Sequence, residues 1–596
     1  MSSLGAILVR RGRPDPAQLR RLLEESPHRG APAKPAELGA VIVGVTTDDV
    51  GDTSMAAADD LVAAVVGSFD DGEALETELT RAGIALTGTS PSDLLLGAHR
   101  AWGSGCIERL RGTFACVVTD GRSLWCSRDH LGFRTLFYRD DADAFVAATE
   151  AKQVAAGAGI AAEPDLDVLE AIFYSEYDDD TPSALRGVRR QPKATTIRAE
   201  EHGARIRRYW YPERLLETAR LGDDELAEAF HERMRVATAR SLGGDDVVAL
   251  SGGIDSPAVA AYAAPTYLER TSEPLAALSA VYPDHPECDE TPYIEDAANA
   301  MGLKLHTFVR SAPIISDLQE WVRLFDGPAP QWTVSQGVEF HDVAKELGFR
   351  NIMTGEIAEF VIDSRQHTME HLLLHLRLGA LRTYVDSMRS KGYGRKRIAR
   401  EVLGGIAPPS AWAAYLQMRP PKDSWTPAWV TSRGPGEGIG YEVYKRPARE
   451  RWEKAQVMSF FGAPGLSQEA DSVVQAVTGM RVRRPFADVD LWEFFLSLPA
   501  EQKFPRNESK GLVRQLLRGR VPDSILDRTD KTHFNDYIMA SVDYEELGRW
   551  VRDPQIRVRG VDYALLAQRL DARDLTLPEY IWAKDLAAVH AFLGLW

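Results

Sequence analysis

The feature that most constrains the fold is the run 245–256, which reads Asp-Asp-Val-Val-Ala-Leu-Ser-Gly-Gly-Ile-Asp-Ser. Its apolar first half predicts a buried strand that ends at Leu250, and a helix is predicted to start near Asp255. Two consecutive glycines separate them, and glycine permits backbone angles that other residues avoid. A strand, a glycine-rich turn and a helix in this order indicate a parallel sheet covered by helices.

The same turn has the composition of an anion site. The backbone N–H groups of Gly252 and Gly253 can point inward together, and the helix N-terminus adds partial positive charge. The hydroxyls of Ser251 and Ser256 can donate further hydrogen bonds to phosphate oxygens. Asp255 would repel a bare phosphate, so the pattern predicts Mg²⁺ between this carboxylate and the phosphates. The alternative is an ordinary turn in which Asp255 only caps the helix.

Two patterns divide the chain, and we predict domains at 1–210 and 211–596. In the first part, short apolar runs separated by turn residues predict the strands of a layered β or α+β domain. These runs are 40–45, 114–118, 123–126, 136–138 and 144–148. In the second part, predicted strands alternate with predicted helices, which favours a parallel sheet with helices on both faces. These elements are a helix over about 223–242, a strand at 275–281, a helix at 291–301 and a strand at 351–354.

The composition excludes several classes of protein. The net charge of −17 argues against a protein that coats nucleic acid, because that function needs a basic surface. Four cysteines are too few for a disulfide framework, and we expect them to be small buried side chains. No apolar stretch approaches the ~20 residues that a membrane span needs. The expected location is the cytoplasm.

From the glycine-rich turn outward, the chain resembles the asparagine synthetase family over nearly its full length. The run 251–256 matches the pyrophosphate loop of ATP pyrophosphatases, which form adenylates. Further matches to the family are 484–488, 496–499, 510–514 and 522–528, and 110–115, 128–132 and 149–152 look like its glutaminase domain. The resemblance implies an α+β glutaminase-like sandwich of the class II amidotransferase type, followed by an α/β parallel-sheet synthetase domain.

Two departures from the family concern the glutaminase. Active glutaminases of this class use an N-terminal cysteine as nucleophile, and this chain has Ser2 instead. The glutamine-binding Asn-Gly-Glu stretch is expected near 66–72, which reads Val-Gly-Ser-Phe-Asp-Asp-Gly. We therefore expect that the first domain has lost glutaminase activity, and that the attacking amine comes from the substrate.

Two groups of relatives use such an amine: β-lactam or carbapenam synthetases, and lasso peptide cyclases. The family shows Gly-Glu-Gly-x-Asp-Glu after its third strand, whereas 354–359 reads Thr-Gly-Glu-Ile-Ala-Glu. The β-lactam group tends to carry tyrosine where Glu356 stands, which favours the cyclase. Such an enzyme adenylates an Asp or Glu side chain of a leader-cleaved peptide and forms a macrolactam with its N-terminal amine. Its expected partners are the peptide, a leader peptidase and a leader-binding protein. A third hypothesis is an inactive protein that keeps the fold, but the intact loop argues against it.

The resemblance also implies roles for individual residues with ATP and Mg²⁺. Lys531 matches the lysine that faces the α-phosphate, where a positive charge offsets developing negative charge; otherwise it is a solvated lysine. Glu356 is the candidate base for the attacking ammonium, or else a cap or an outer ligand of the metal. Lys510 and Arg514 either bind pyrophosphate or pair with acids. The remaining expected contacts are Leu250, Val281, Thr354 and Gly355 with adenosine, Ser251, Gly252, Gly253 and Ser256 with phosphates, and Asp255 and Glu359 with Mg²⁺.

A basic segment at 361–403 is a candidate wall of the peptide chamber. Its cations are Arg377, Arg382, Arg389, Lys391, Arg395, Lys396, Arg397 and Arg400. The alternative interpretation is a solvated helical face. His367, His371 and His375 have helical spacing within this segment, but zinc would require a further ligand.

Overall fold

The structure is a computed structural model of the chain. It describes residues 1–48, 51–328, 334–404, 406, 408, 410–411, 425–431, 447–461, 465–528 and 532–596. No helix in these ranges is long and apolar enough to cross a bilayer.

The N-terminal part is a sandwich of two antiparallel sheets. The strands are β1 Leu4–Val9, β2 Ala31–Pro32, β3 Ala36–Leu38, β4 Val41–Thr47, β5 Thr53–Ala57, β6 Val62–Phe69, β7 Gly112–Thr119, β8 Leu124–Arg128, β9 Phe137–Asp140, β10 Ala144–Ala148, β11 Arg189–Arg190, β12 Thr195–Glu200 and β13 Gly203–Arg208. One sheet has the order β11-β9-β10-β1-β4-β2, with β3 also on β4, and the other has the order β13-β12-β8-β7-β6-β5. The five strands predicted in this part are confirmed.

Alternation along β1 shows why these residues form a sandwich. Leu4, Ala6 and Leu8 point into the core between the two sheets. Ile7 points the other way and packs on Leu22 of the covering helices. Successive strand residues face opposite sides, so an apolar residue at nearly every position fits a sheet that is buried on both faces. The helices of this part are α1 Pro16–Glu24, α2 Gly72–Arg81, α3 Pro91–Trp102, α4 Ala151–Ala158 and α5 Leu166–Phe173, with 3₁₀ turns at Pro27–Arg29 and Gly103–Arg109.

The C-terminal part contains a parallel sheet of five strands. They are β14 Asp246–Ala249, β15 Ala276–Val281, β16 Lys304–Val309, β17 Asn351–Met353 and β18 Arg481–Arg483, in the order β16-β15-β14-β17-β18. Every pairing in this sheet is parallel. Val248 belongs to one core cluster and its neighbour Val247 to another on the opposite face. The prediction of a parallel sheet covered on both faces is therefore confirmed.

Two helices of this part were predicted from the sequence, and both are present. The predicted helices at 223–242 and 291–301 are confirmed as α6 Asp223–Ser241 and α8 Thr291–Met301. Between them lies α7 Asp255–Thr271, and then α9 Leu318–Leu324, α10 Val334–Glu346, α11 Ala358–Ile362, α12 Thr368–Leu374, α13 Leu378–Ser390 and α14 Arg395–Gly404. The remainder are α15 Ala448–Phe461, α16 Gly465–Thr478, α17 Val489–Ser497, α18 Ala500–Lys503, α19 Gly511–Leu516, α20 Asp523–Leu526, α21 Asn535–Ala540, α22 Tyr544–Val551, α23 Tyr563–Ala572 and α24 Leu577–Leu593, with 3₁₀ turns at Pro212–Arg214, Pro485–Ala487 and Pro505–Asn507.

Charged contacts join the two parts. Arg240 of α6 contacts Asp71 from the sandwich, and both Asp488 at 2.6 Å and Asp490 at 2.8 Å from its own part. On another side of the interface, the Lys152 amine lies 3.1 Å from Asp326. The last strand of the sandwich ends at 208 and α6 begins at 223, so the predicted boundary at 210 falls in the connecting segment.

Candidate active site

The candidate active site lies where the strand order of the parallel sheet reverses. Strand β15 pairs with one edge of β14, and β17 pairs with the other edge. The loops that follow β14 and β17 therefore leave the sheet side by side at its carboxyl end. Ligands of open α/β sheets bind at such a point, because the diverging connections leave a crevice. The loop after β14 is the glycine-rich turn, and the loop after β17 is 354–357.

The glycine-rich turn directs its backbone N–H groups toward oxygen acceptors. The amide of Ser251 donates to Ser256 Oγ at 2.9 Å, and the two hydroxyl oxygens lie 2.9 Å apart. The amide of Gly253 donates to Ser251 Oγ at 3.4 Å. The amide of Gly252 donates to a carboxylate oxygen of Glu290 at 3.0 Å. The turn thus has the donor pattern of an anion site, and α7 begins directly after it at Asp255.

Two glycines are required at this site by close packing. A Cβ atom on Gly355 would lie 2.6 Å from the backbone carbon of Asp255 and 2.6 Å from the amide nitrogen of Ser256. A Cβ atom on Gly252 would lie 2.9 Å from Glu290 Cβ and 3.0 Å from an Arg528 nitrogen. By contrast, a Cβ on Gly253 would meet only Ser251 Oγ, at 3.5 Å. The two loops are therefore in backbone contact.

Asp255 is held by a cation in the structure. The amine of Lys510 lies 2.5 Å from Asp255 Oδ2. Lys510 is positioned by Asp363, which accepts hydrogen bonds from the Lys510 amide at 3.1 Å and from Ser509 Oγ at 2.7 Å. The backbone of Lys510 is left-handed, with φ of 54°. A positive group at Asp255 shows that this position accepts a cation.

Glu359 supplies a second carboxylate close to Asp255. It lies in the first turn of the short helix α11, after β17. Exclusion of water by the surrounding protein raises the pKa of Glu359, and the negative charge of Asp255 raises it further against the opposing effect of Lys510. Two carboxylates that disfavour each other's charge fit a divalent cation with oxygen ligands, such as Mg²⁺. Mg²⁺ at these two carboxylates stays a prediction.

Glu356 is oriented by a buried arginine. Arg484 Nε lies 2.7 Å from Glu356 Oε2, and a second guanidinium nitrogen of Arg484 lies 2.8 Å from Asp471. The Glu356 side chain is 57% exposed, whereas that of Arg484 is 8% exposed. Glu356 therefore presents its carboxylate to solvent beside the loop after β17, with one oxygen fixed. Its role as a base stays a prediction.

The residues predicted to contact adenosine lie at the carboxyl ends of the three central strands. The carbonyl of Leu250 accepts a hydrogen bond from Ser279 Oγ at 2.8 Å. Val281 ends β15, and the Thr354 amide donates to the carbonyl of Arg483 at 2.9 Å. The sheet brings these positions together with Gly355. Their contact with a nucleotide stays a prediction.

A C-terminal segment closes one side of the turn. Arg528 donates to the carbonyl of Gly252 at 3.0 Å and to Glu290 at 2.8 Å. Arg514 donates to the carbonyls of Ser509 at 3.0 Å and Arg528 at 3.2 Å. Sequence reasoning did not single out Arg528 or Glu290, although Arg528 ends the family-like stretch 522–528. Arg514 thus holds the backbone near the site, and its contact with pyrophosphate stays a prediction. Lys531 lies outside the described residues.

The positions expected to bind glutamine in the first domain instead contact the second domain. Ser68 Oγ accepts a hydrogen bond from Arg483 at 3.3 Å. Asp71 contacts Arg240, with 2.9 Å between Oδ1 and Nε. Ser2 is fully buried, and its amide donates to Asp52 at 3.0 Å. The stretch that would read Asn-Gly-Glu in an active glutaminase therefore takes part in the domain interface.

The three histidines of the basic segment do not form a metal site. His371 Nε2 lies 3.1 Å from Glu217, and its ring stacks on Trp452 with centroids 4.2 Å apart. His375 lies against the His371 ring at 4.2 Å, and His367 precedes the helix. Within the described residues, no group of three or more His, Cys, Asp or Glu could hold a metal ion. All four cysteines are buried, as expected.

Comparison with known proteins gives matches along most of the chain. The family model "Asparagine synthase" matches residues 222–573, and "Glutamine amidotransferase domain" matches residues 4–210. An "Asparagine synthetase [glutamine-hydrolyzing] 3" of Bacillus subtilis is 26% identical over 494 residues, covering 79% of this chain and 75% of that protein. A "Putative asparagine synthetase [glutamine-hydrolyzing]" of Mycobacterium bovis is 25% identical, covering 75% and 71%. The "Amidase chry2" of Gibberella zeae is 24% identical, covering 48% and 45%.

Proposed function

Since the chain belongs to the asparagine synthase family and is an ATP-dependent amide-forming enzyme, we propose that it is a lasso peptide cyclase. It adenylates the side-chain carboxylate of an Asp or Glu in a leader-cleaved core peptide. The N-terminal amine of the same peptide then attacks, which closes an isopeptide macrolactam. The products are the cyclic peptide, AMP and pyrophosphate.

The observation that carries the proposal is the interface made by Ser68 and Asp71. These residues stand where an active glutaminase binds glutamine, and here they contact Arg483 and Arg240 of the second domain. The commitment of this stretch to the interface supports a source of nitrogen other than glutamine. An amine within the substrate itself is such a source. In the glycine-rich turn, by contrast, the amides of Ser251 and Gly252 donate to Ser256 Oγ and to a Glu290 carboxylate oxygen, and the proposal is that phosphate oxygens take the place of these acceptors.

In the first step, a peptide carboxylate oxygen attacks the α-phosphorus of ATP and pyrophosphate leaves. The amides of the glycine-rich turn and the hydroxyls of Ser251 and Ser256 hold the phosphate oxygens. Asp255 and Glu359 would hold Mg²⁺, which would neutralise phosphate charge. The role that the family resemblance implies for Lys531 is to offset the negative charge that develops at the α-phosphate. Lys510 and Arg514 stabilise the departing pyrophosphate.

In the second step, the amine nitrogen attacks the acyl carbon of the adenylate and AMP leaves. The amine must be neutral to attack, so its ammonium form first loses a proton. Glu356 accepts this proton, and Arg484 keeps the carboxylate oriented toward the site. Enclosure of the peptide holds the amine close to the adenylate and keeps out water, which would hydrolyse it.

The test is product analysis with ATP, Mg²⁺ and candidate core peptides carrying a free amino terminus and an Asp or Glu. We expect AMP and pyrophosphate in equal amounts with a peptide product lighter by one water, detected by chromatography and mass spectrometry. The matched control is the same peptide with an acetylated amino terminus, which should form no ring. Formation of ADP and phosphate would rule out adenylation, and turnover only of a small amino acid would identify a small-molecule amide synthetase instead.

A further inference from the structure

A surface groove lies between the amino end of α13 and the 3₁₀ turn Pro505–Asn507. Its volume is about 670 Å³, and its lining includes Leu376, Arg377, Leu378, Glu501 and Arg506. None of these residues belongs to the adenylation site described above. The basic segment singled out in the sequence contributes one wall of this groove. The groove can therefore serve a purpose separate from the chemistry.

Two apolar side chains that line the groove are exposed to water, which is unfavourable for them. Leu376 is 78% exposed and Leu378 is 58% exposed, although both are large aliphatic residues. Leu376 also has a left-handed backbone, with φ of 56°. This conformation ends helix α12, because the Leu376 amide donates to the Leu373 carbonyl at 3.1 Å and the Arg377 amide to the Leu372 carbonyl at 2.8 Å. Two exposed leucines, separated by one residue in the chain, leave apolar surface that another molecule can cover.

The charge of the groove is positive on balance. Arg377 lies 2.6 Å from Glu217 and 2.9 Å from Glu501, so its charge is matched. Arg220 lies 2.9 Å from Glu501, which is thereby shared. Arg506 is exposed, and no carboxylate of the described residues contacts it. The net charge of the chain is −17, so most of its surface repels an acidic ligand. A local excess of positive charge would attract such a ligand to the groove.

The groove and the adenylation site share one stretch of backbone. Arg506 precedes Lys510 by four residues, so the two Cα atoms are at most about 14 Å apart. The stretch is fixed by Arg365, which donates to the Asn507 carbonyl at 3.0 Å, and by Asp363, which holds Ser509 and Lys510. An extended peptide rises about 3.3 Å per residue, so roughly four or five residues connect the two places.

We propose that this groove binds the part of the peptide substrate that follows the acceptor carboxylate, as an extended acidic segment with apolar side chains. The proposal rests on the proposed function for the identity of the peptide. Leu376 and Leu378 contact the apolar side chains, and Arg506 pairs with an acidic one. Binding there keeps the tail of the peptide away from the adenylate while its amino terminus approaches.

Fluorescence anisotropy without ATP tests the groove directly. One fluorescein-labelled peptide carries a central aspartate and a tail of alternating leucine and glutamate, and a second carries a glycine-serine tail. We expect Leu376→Ser and Arg506→Glu each to weaken binding of the first peptide about tenfold and to leave the second unchanged. Leu268→Ser, which alters a leucine on α7 that is 53% exposed, and Arg389→Glu, on α13, are the controls and should have no effect.

A charge-swapped peptide provides the complementary measurement. A tail of alternating leucine and lysine should bind Arg506→Glu better than the unmodified protein. Equal effects of Leu376→Ser and Leu268→Ser, or no rescue by the lysine tail, would overturn the proposal. So would a dimer in sedimentation that Leu376→Ser abolishes, because the groove would then join two copies. Since binding is measured without turnover, a protein that binds the tail but makes no AMP contradicts the proposed function and not the groove.

Discussion

Asp255 lies in the first turn of α7, and its Oδ2 atom is 2.5 Å from the amine nitrogen of Lys510. Asp255→Asn keeps the size of the side chain but removes the negative charge that holds a cation. We expect AMP formation to fall about 10³-fold, because electrostatic stabilisation of phosphate charge contributes several kcal/mol. AMP release measured by chromatography checks this. The control is Asp386→Asn, at an exposed ion pair on α13, which should keep normal activity. Full activity of Asp255→Asn would contradict the assignment of Asp255 as a metal ligand.

Glu359 should make both stability and metal binding depend on pH. Burial and Asp255 raise its pKa, so the folded state binds this proton more tightly than the unfolded state does. The carboxylate therefore destabilises the folded protein at pH values above its raised pKa, and protonation relieves this as the pH falls. Glu359→Gln should raise Tm at neutral pH in calorimetry without Mg²⁺, while it weakens activation by Mg²⁺. A lower Tm for Glu359→Gln would contradict the assignment.

Gly355 tests whether the two loops of the site depend on backbone contact. An alanine there would place its Cβ 2.6 Å from the α7 backbone, which cannot move away without distorting the turn. We expect Gly355→Ala to lower the free energy of unfolding by about 2 kcal/mol. Denaturant titration measures this, with Gly253→Ala as the control for stability because its Cβ has room. Equal stability of the two variants would show that the contact is not tight.

At the scale of elements, the central strands could be predicted and the edge strands could not. β14 reads as a continuous apolar run because both faces are covered, and this pattern identifies it without further information. β16 and β18 lie at the two edges of the same sheet. β16 alternates exposed and half-buried residues, and Arg481-Val482-Arg483 is mostly charged. Such sequences carry little signal because solvent, rather than protein, faces much of the strand.

Part of the candidate site could also be predicted from the sequence, and part could not. Asp255 and the glycine-rich turn are adjacent in sequence, so their pattern is visible in one short run. Glu290 and Arg528, which contact Gly252, come from other parts of the chain and are brought to the turn only by folding. Glycine at 355 was expected to contact adenosine, whereas the structure gives a steric reason for it. Contacts made across long sequence separations leave no local pattern to read.

At the scale of the whole molecule, Arg240 is one of the charged links between the two domains. It contacts Asp71 on one side and both Asp488 and Asp490 on the other, and 14% of its side chain is exposed. Arg240→Ala would leave the largely buried Asp488 without its partner. We expect a loss of about 3 kcal/mol in the free energy of unfolding, since broken buried ion pairs are costly.

Denaturant titration measures this loss, and Arg235→Ala on the same helix is the matched control. Arg235 is 57% exposed and pairs with Glu232, so its removal should cost less than about 1 kcal/mol. If both variants lost the same stability, the charges at the interface would have no special role in joining the domains.

The intact protein should not hydrolyse glutamine. Ser68 and Asp71 occupy the expected glutamine-binding stretch and are committed to the domain interface, and the family's cysteine is replaced by Ser2. We expect no glutamate above background when glutamine is supplied with or without ATP, measured by an enzyme-coupled assay. An amidotransferase with an intact N-terminal cysteine serves as the positive control. Glutamate release that depends on ATP would contradict the proposal that the amine comes from the peptide.

The close packing at Gly355 joins the start of α7, which carries Asp255, to the loop that carries Glu356. Neither segment can shift alone without a clash there, so their spacing is fixed. Related enzymes can therefore acquire new substrates only through substitutions on surfaces outside these two segments. The wall formed by α13 lies outside this contact, so diversity among relatives should accumulate there rather than at the 505–507 turn, which is tied to the site through Lys510.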